Sequence, residues 1–146
     1  MTRFLIDINV LIALIDPAHV SHDAAHEWFE GEGRPSWATC PMTENGVIRI
    51  VSNPKYPNTP GSPSIVANSL SGLCQLSGHI FWPDDISLVA SSHVDPSLIF
   101  TSAQVTNSYL LALASAHGGK LATLDRRLST KAVPKGKATL KTIGEI

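Results

Sequence analysis

The sequence predicts an α/β fold in which helices cover both faces of a mostly parallel sheet, and three observations carry that prediction. Short apolar runs of strand length alternate with longer segments whose apolar residues recur at helical spacing. Two of the short runs end in an aspartate, at Asp7 and Asp125. The chain has 146 residues, 43% of them hydrophobic and 16% charged, against roughly 25% charged in an ordinary soluble protein. That composition excludes intrinsic disorder and suits one domain spanning residues 1–146. Cys40 and Cys74 have neither CxxC nor Cys/His ligand spacing, so reduced, partly buried thiols are expected. No apolar run has the roughly 18 residues of a membrane span. The first residues lack the features of a signal peptide, so a cytoplasmic protein without a membrane partner is expected.

The elements follow in chain order. Arg3-Phe4-Leu5-Ile6 reads as a strand ending at Asp7, and Val10 to Ile15 as a helix stopped by Asp16-Pro17. A second helix is expected over His19–Glu30, with Ala24, Ala25, Trp28 and Phe29 inward and Gly31 and Gly33 breaking it. Ser36–Thr39 reads as a strand, and Pro41 suits the first turn of a helix that runs through Val51 and stops before Pro54. Four prolines between Asn53 and Pro63 require a loop. Beyond it, Ile65–Leu76 reads as a helix, His79–Trp82 as a strand and Ile86–Ala90 as a short helix. Gln104–His117 is the clearest helix, with a broad apolar face and Gly118-Gly119 as its stop. Lys120–Leu124 reads as a strand, Arg126–Ser129 as a short helix and Thr139–Ile143 as a final strand.

Net charge is −1, but it is segregated along the chain. Residues 1–119 sum to −6, and residues 120–146 to +5 with seven basic side chains. A basic face beside carboxylates suits a metal-dependent enzyme acting on a phosphodiester, although a solvated C-terminal face gives the same pattern. In open parallel sheets ligands bind beyond the carboxyl ends of the strands, so Asp7 and Asp125 can converge there despite their separation in sequence. Each can equally serve as a cap for the helix that follows. Glu44 and Asn107 fall in the first turns of their helices, where polar or acidic residues are ordinary. Hard oxygen donors gathered at such ends suit Mg²⁺ or Mn²⁺.

These segments carry a resemblance. Leu5-Ile6-Asp7-Ile8-Asn9-Val10-Leu11, Thr43-Glu44-Asn45-Gly46 with Arg49, Val105-Thr106-Asn107-Ser108-Tyr109, and Leu121-Ala122-Thr123-Leu124-Asp125 resemble the PIN-domain ribonucleases, and among them the VapC-type toxins of type II (VapBC) toxin-antitoxin pairs. The resemblance spans nearly the whole chain in the family's order. It implies a three-layer α/β/α PIN-like domain and an endoribonuclease that cleaves RNA with a water activated by Mg²⁺ or Mn²⁺. It further implies a VapB-type antitoxin as partner and a homodimer. Asp7, Glu44 and Asp125 match three of the family's four metal-binding acids, while Asn107 stands at the fourth and implies weakened metal binding. Asn9 and Thr123 are expected to support the ligands by hydrogen bonding, and Arg126 to hold the RNA backbone. The alternative is a catalytically silent PIN-like domain that dimerises and binds an antitoxin.

Other signals point elsewhere. His19, His22 and His26 have spacings that would share a helix face, as in a transition-metal site, but helix-start hydrogen bonding explains them as well. Trp28, Trp37, Trp82, Phe29 and Phe81 are expected in the core. Asp7-Ile8-Asn9-Val10 faintly resembles a haloacid-dehalogenase-like phosphatase, but the second aspartate that family places two residues on is Asn9 here. Neither GxxxxGK[ST] nor GxGxxG is present, which argues against a nucleotide cofactor.

Overall fold

The computed structural model describes residues 1–144. Five parallel strands form one sheet: β1 (Phe4–Ile6), β2 (Trp37–Thr39), β3 (His79–Phe81), β4 (Lys120–Thr123) and β5 (Leu140–Thr142), in the order β3-β2-β1-β4-β5. The connections are α1 (Ile8–Ile15), α2 (His22–Trp28), α3 (Pro41–Val51), α4 (Pro63–Cys74), α5 (Val105–Ala116) and the single turn α6 (Gly136–Thr139). This is a three-layer α/β/α architecture, as the alternation of strands and helices predicts.

Side chains alternate across the sheet with the strand period of two. Phe4, Ile6, Trp37 and Ala122 face one core with α1–α4, whereas Leu5, Ala38 and Leu121 face a second core under α5. Helix α5 is enclosed on all sides along its middle, where every residue from Ser108 to Ala114 is buried. Gly46 marks the close approach of α3 to the start of α1: a Cβ there would lie 2.5 Å from Cδ1 of Ile8, whose side chain would have to move to admit it.

Two expected helices are absent, and a local side-chain bond replaces each. Over Ile86–Ala90 the Ser87 hydroxyl accepts the backbone N–H groups of Val89 and Ala90, both at 3.1 Å, a turn that competes with helix formation. Over Arg126–Ser129 the Asp125 carboxylate accepts the Arg127 N–H at 2.9 Å, and the chain turns instead of coiling. Helix α2 begins at His22 rather than His19, because His19 Nδ1 accepts the Ser21 N–H in a turn at 3.0 Å. The last strand is shorter than expected, with α6 taking up Thr139. Four of the five aromatic residues are in the core as expected, but Phe81 is 53% exposed on the edge strand β3.

Two of the three histidines close α1. His22 Nδ1 and His26 Nε2 bond the Ala13 and Leu14 carbonyls at 2.7 and 2.9 Å, satisfying backbone acceptors that a helix end leaves open. No helix among the described residues is long and apolar enough to cross a membrane.

Candidate active site

The strand order places the switch point of the sheet between β1 and β4. The chain runs from β1 outward to β3, then returns to the other side of β1. Helix α1 leaves β1 into one core, whereas the segment after β4 packs Leu128, Ala132 and Val133 into the other, the arrangement that in open parallel sheets makes a ligand crevice at the strand carboxyl ends. Asp7 leaves β1 there, and Asp125 lies two residues past β4.

Asp7 is the N-cap of α1 and is only 4% exposed. Its Oδ1 accepts the Ile8 N–H at 2.7 Å, and its Oδ2 accepts the Thr123 hydroxyl at 2.7 Å. Thr123 is the hub of this network. Its oxygen also accepts Asn9 Nδ2–H at 3.2 Å and the Asp125 N–H at 3.1 Å, so its one proton and both lone pairs are committed. Asn9 completes the network by accepting the Leu124 N–H at 3.1 Å. Among the described residues each Asp7 oxygen accepts one hydrogen bond, which leaves a second lone pair for a ligand.

Burial pushes the Asp7 pKa up; the hydrogen bonds from Thr123 and Ile8 oppose that, and the nearby Asp125 charge adds to it. Among the described residues neither Asp7 nor Asp125 has a Lys or Arg ion-pair partner. The pair therefore carries like charges that a cation would relieve, and its donors are carboxylate oxygens, which fit a hard divalent ion.

Glu44, in the first turn of α3, has different company. Its Oε2 accepts the Thr39 hydroxyl at 2.7 Å, and a ligand atom from each of Glu44, Cys74 and His79 lies within 4.8 Å of the others. Thr39 lies 2.8 Å from His79 Nε2. Since its single proton goes to Glu44, His79 Nε2–H is the donor in that contact. The mixed group Glu44–Cys74–His79 escapes a reading by motif because its members come from α3, α4 and β3 with no ligand spacing. Asn107 is half-buried in the first turn of α5, and none of the side-chain hydrogen bonds among the described residues involves it. Arg126 is exposed, and its guanidinium donates to the Gly144 carbonyl. The structure thus brings Asp7, Asn9, Thr123 and Asp125 into one network and gives the Glu44 carboxylate a separate set of partners.

No family model matches the chain. It is 41% identical over 135 residues to ribonuclease VapC44 of Mycobacterium tuberculosis, covering 90% of this chain and 92% of that protein. Among solved structures it superposes on M. tuberculosis VapC20, described as a sarcin-ricin loop cleaving toxin, with a TM-score of 0.62 at 9% identity over 90% of this chain and 97% of that one. It also superposes on VapBC2 of Rickettsia felis bound to a DNA fragment from its promoter, with a TM-score of 0.59 at 12% identity over 97% of this chain and 99% of that one. At those identities the two structures speak for the fold alone.

Proposed function

This chain belongs to the VapC ribonuclease family of VapBC toxin-antitoxin systems, and on that premise we propose that it is a metal-dependent endoribonuclease whose centre is the Asp7–Asp125 pair. The observation that carries the reading is the pair itself: a buried carboxylate joined through Thr123 to the backbone of a second acid whose charge it feels, with no Lys or Arg ion-pair partner to either among the described residues. Asp7 and Asp125 are the main ligands for Mg²⁺ or Mn²⁺. Glu44 is assigned the third ligand position, and Asn107 the fourth, where an amide supplies one carbonyl oxygen but no charge. When bound, such an ion activates water for attack on a phosphodiester and stabilises the charge that develops on the phosphate.

The chain's own residues supply orientation. Thr123, itself fixed by Asn9, holds the Asp7 carboxylate and ties the end of β4 to α1, so Asp7 does not have to reorganise during reaction. Arg126 is assigned the RNA phosphate contact, a reading supported by its exposure and its position next to Asp125. RNA as substrate, a VapB-type antitoxin as partner, a homodimer and action in the cytoplasm belong to the same reading.

The test is cleavage of a labelled RNA pool with Mg²⁺, Mn²⁺ or EDTA. Cleavage abolished by EDTA and by Asp7→Ala is expected; cleavage that survives both would overturn the reading. A second reading, a catalytically silent domain that retains antitoxin binding, is favoured by Asn107. Cleavage by Asn107→Asp but not by the unmodified chain would establish the silence, and capture of a VapB-type antitoxin by that unmodified chain the retained binding.

A further inference from the structure

Outside the Asp7–Asp125 network, Glu44, Cys74 and His79 form a group of three metal-ligating side chains among the described residues. They come from α3, α4 and β3, three elements that the sheet order brings to one corner, and their ligand atoms lie within 4.8 Å of one another. All three are half-buried. A crevice of about 250 Å³ lined by Glu44, Ile48, Ala67, Leu70, Ser71 and Cys74 opens two members of the group, Glu44 and Cys74, to solvent. One carboxylate oxygen, one thiol sulfur and one imidazole nitrogen make a three-ligand set. In zinc proteins such a set leaves the fourth tetrahedral position for water. Thiolate and imidazole select zinc-class ions, whereas Mg²⁺ takes oxygen ligands in an octahedron. The Thr39 hydroxyl already gathers Glu44 and His79 at 2.7 and 2.8 Å, so a cation there exchanges one hydroxyl contact rather than assembling scattered side chains.

We propose that Glu44, Cys74 and His79 form a binding site for a zinc-class divalent cation, separate from the carboxylate pair at the β1–β4 switch point. On binding, the Cys74 thiol proton and the His79 Nε2 proton leave these ligand atoms, the latter by loss to solvent or transfer to Nδ1. The carboxylate of Glu44 is then held in the β2–β3 corner. If the function proposed above is right, filling this site withdraws Glu44 from the catalytic ion, so zinc inhibits RNA cleavage at saturating Mg²⁺.

Titration of the intact chain with Co²⁺ alone tests the site independently of activity. A thiolate-to-cobalt charge-transfer band is expected at one equivalent, displaced by Zn²⁺ but not by Mg²⁺, absent in Cys74→Ser and weakened about tenfold or more in His79→Gln. No band, or a band that survives Cys74→Ser, would overturn the proposal. A folding defect in the variants is bypassed by the unmodified protein: Zn²⁺ should protect Cys74 from alkylation, mapped by mass spectrometry, whereas equal labelling with and without Zn²⁺ would overturn the site. Inhibition is measured against each protein's own zinc-free rate, and inhibition that persists in Cys74→Ser would overturn the link to Glu44. A chain that binds Co²⁺ through Cys74 yet cuts no RNA refutes the proposed function and leaves the site standing.

Discussion

Asp7 and Glu44 begin from the same device and end in different chemistry. Each is a carboxylate beyond the carboxyl end of a parallel strand, and each accepts a hydroxyl proton at 2.7 Å from the threonine that ends a strand, Thr123 for Asp7 and Thr39 for Glu44. The other partners differ. Thr123 passes its remaining bonds to an amide side chain and a backbone N–H, which leads to a second carboxylate. Thr39 meets an imidazole, with a thiol close by. The first arrangement concentrates negative charge among hard donors, and the second mixes donor types around one charge. The comparison teaches that the partners of the threonine, rather than the carboxylate, set which cation each corner suits.

The sharpest way to break this contrast is to remove charge from the first corner. Asp7→Asn should lower RNA cleavage by about 100-fold or more, beyond the range expected for an outer partner, while leaving the Co²⁺ band at Cys74 intact. Thr123→Val keeps the shape and deletes the hub; it should reduce cleavage by roughly 10- to 100-fold and cost about 1–3 kcal/mol in denaturant unfolding. Asn107→Asp sharpens the contrast from the other side. Adding a hard anionic ligand should tighten Mg²⁺ binding several-fold by calorimetry, and equal affinities would remove Asn107 from the ligand set.

A smaller effect is expected in stability against pH. Because burial raises the folded-state pKa of Asp7, the folded protein keeps a proton that the unfolded chain has already released. The contribution of Asp7 to stability is therefore complete below the ordinary carboxylate range and is lost as pH rises through its raised pKa. Thermal unfolding without divalent ions should show this fall in the unmodified chain and a flatter profile in Asp7→Asn, with Mg²⁺ offsetting the fall in the unmodified chain. A fall of equal size in both proteins would place the charge strain elsewhere.

Much of the architecture was legible in the sequence because it is written in local periods. The apolar runs of β1 and β4 and the dense apolar stretch of α5 show their type within a dozen residues, and Pro41 marks the start of α3. The two helices that did not form failed for an equally local reason. Ser87 and Asp125 satisfy nearby backbone N–H groups themselves, and the hydropathy pattern is blind to that competition. Phe81 was misread because apolar character does not reveal that its strand lies at the sheet edge.

The candidate site divides in the same way. Residue type and position at a strand exit mark Asp7 and Asp125, and the ordered motifs mark the family, all within the sequence. The placement of β4 beside β1 was decided only in three dimensions, and it brings the Thr123 hydroxyl to Asp7 across 116 positions of chain. So was the corner that unites Glu44, Cys74 and His79, as was the use of His22 and His26 to close α1. The reason is physical: helix and strand periods arise from neighbouring residues, whereas strand order and side-chain partners arise from burying two cores at once, a condition that the whole chain must satisfy together.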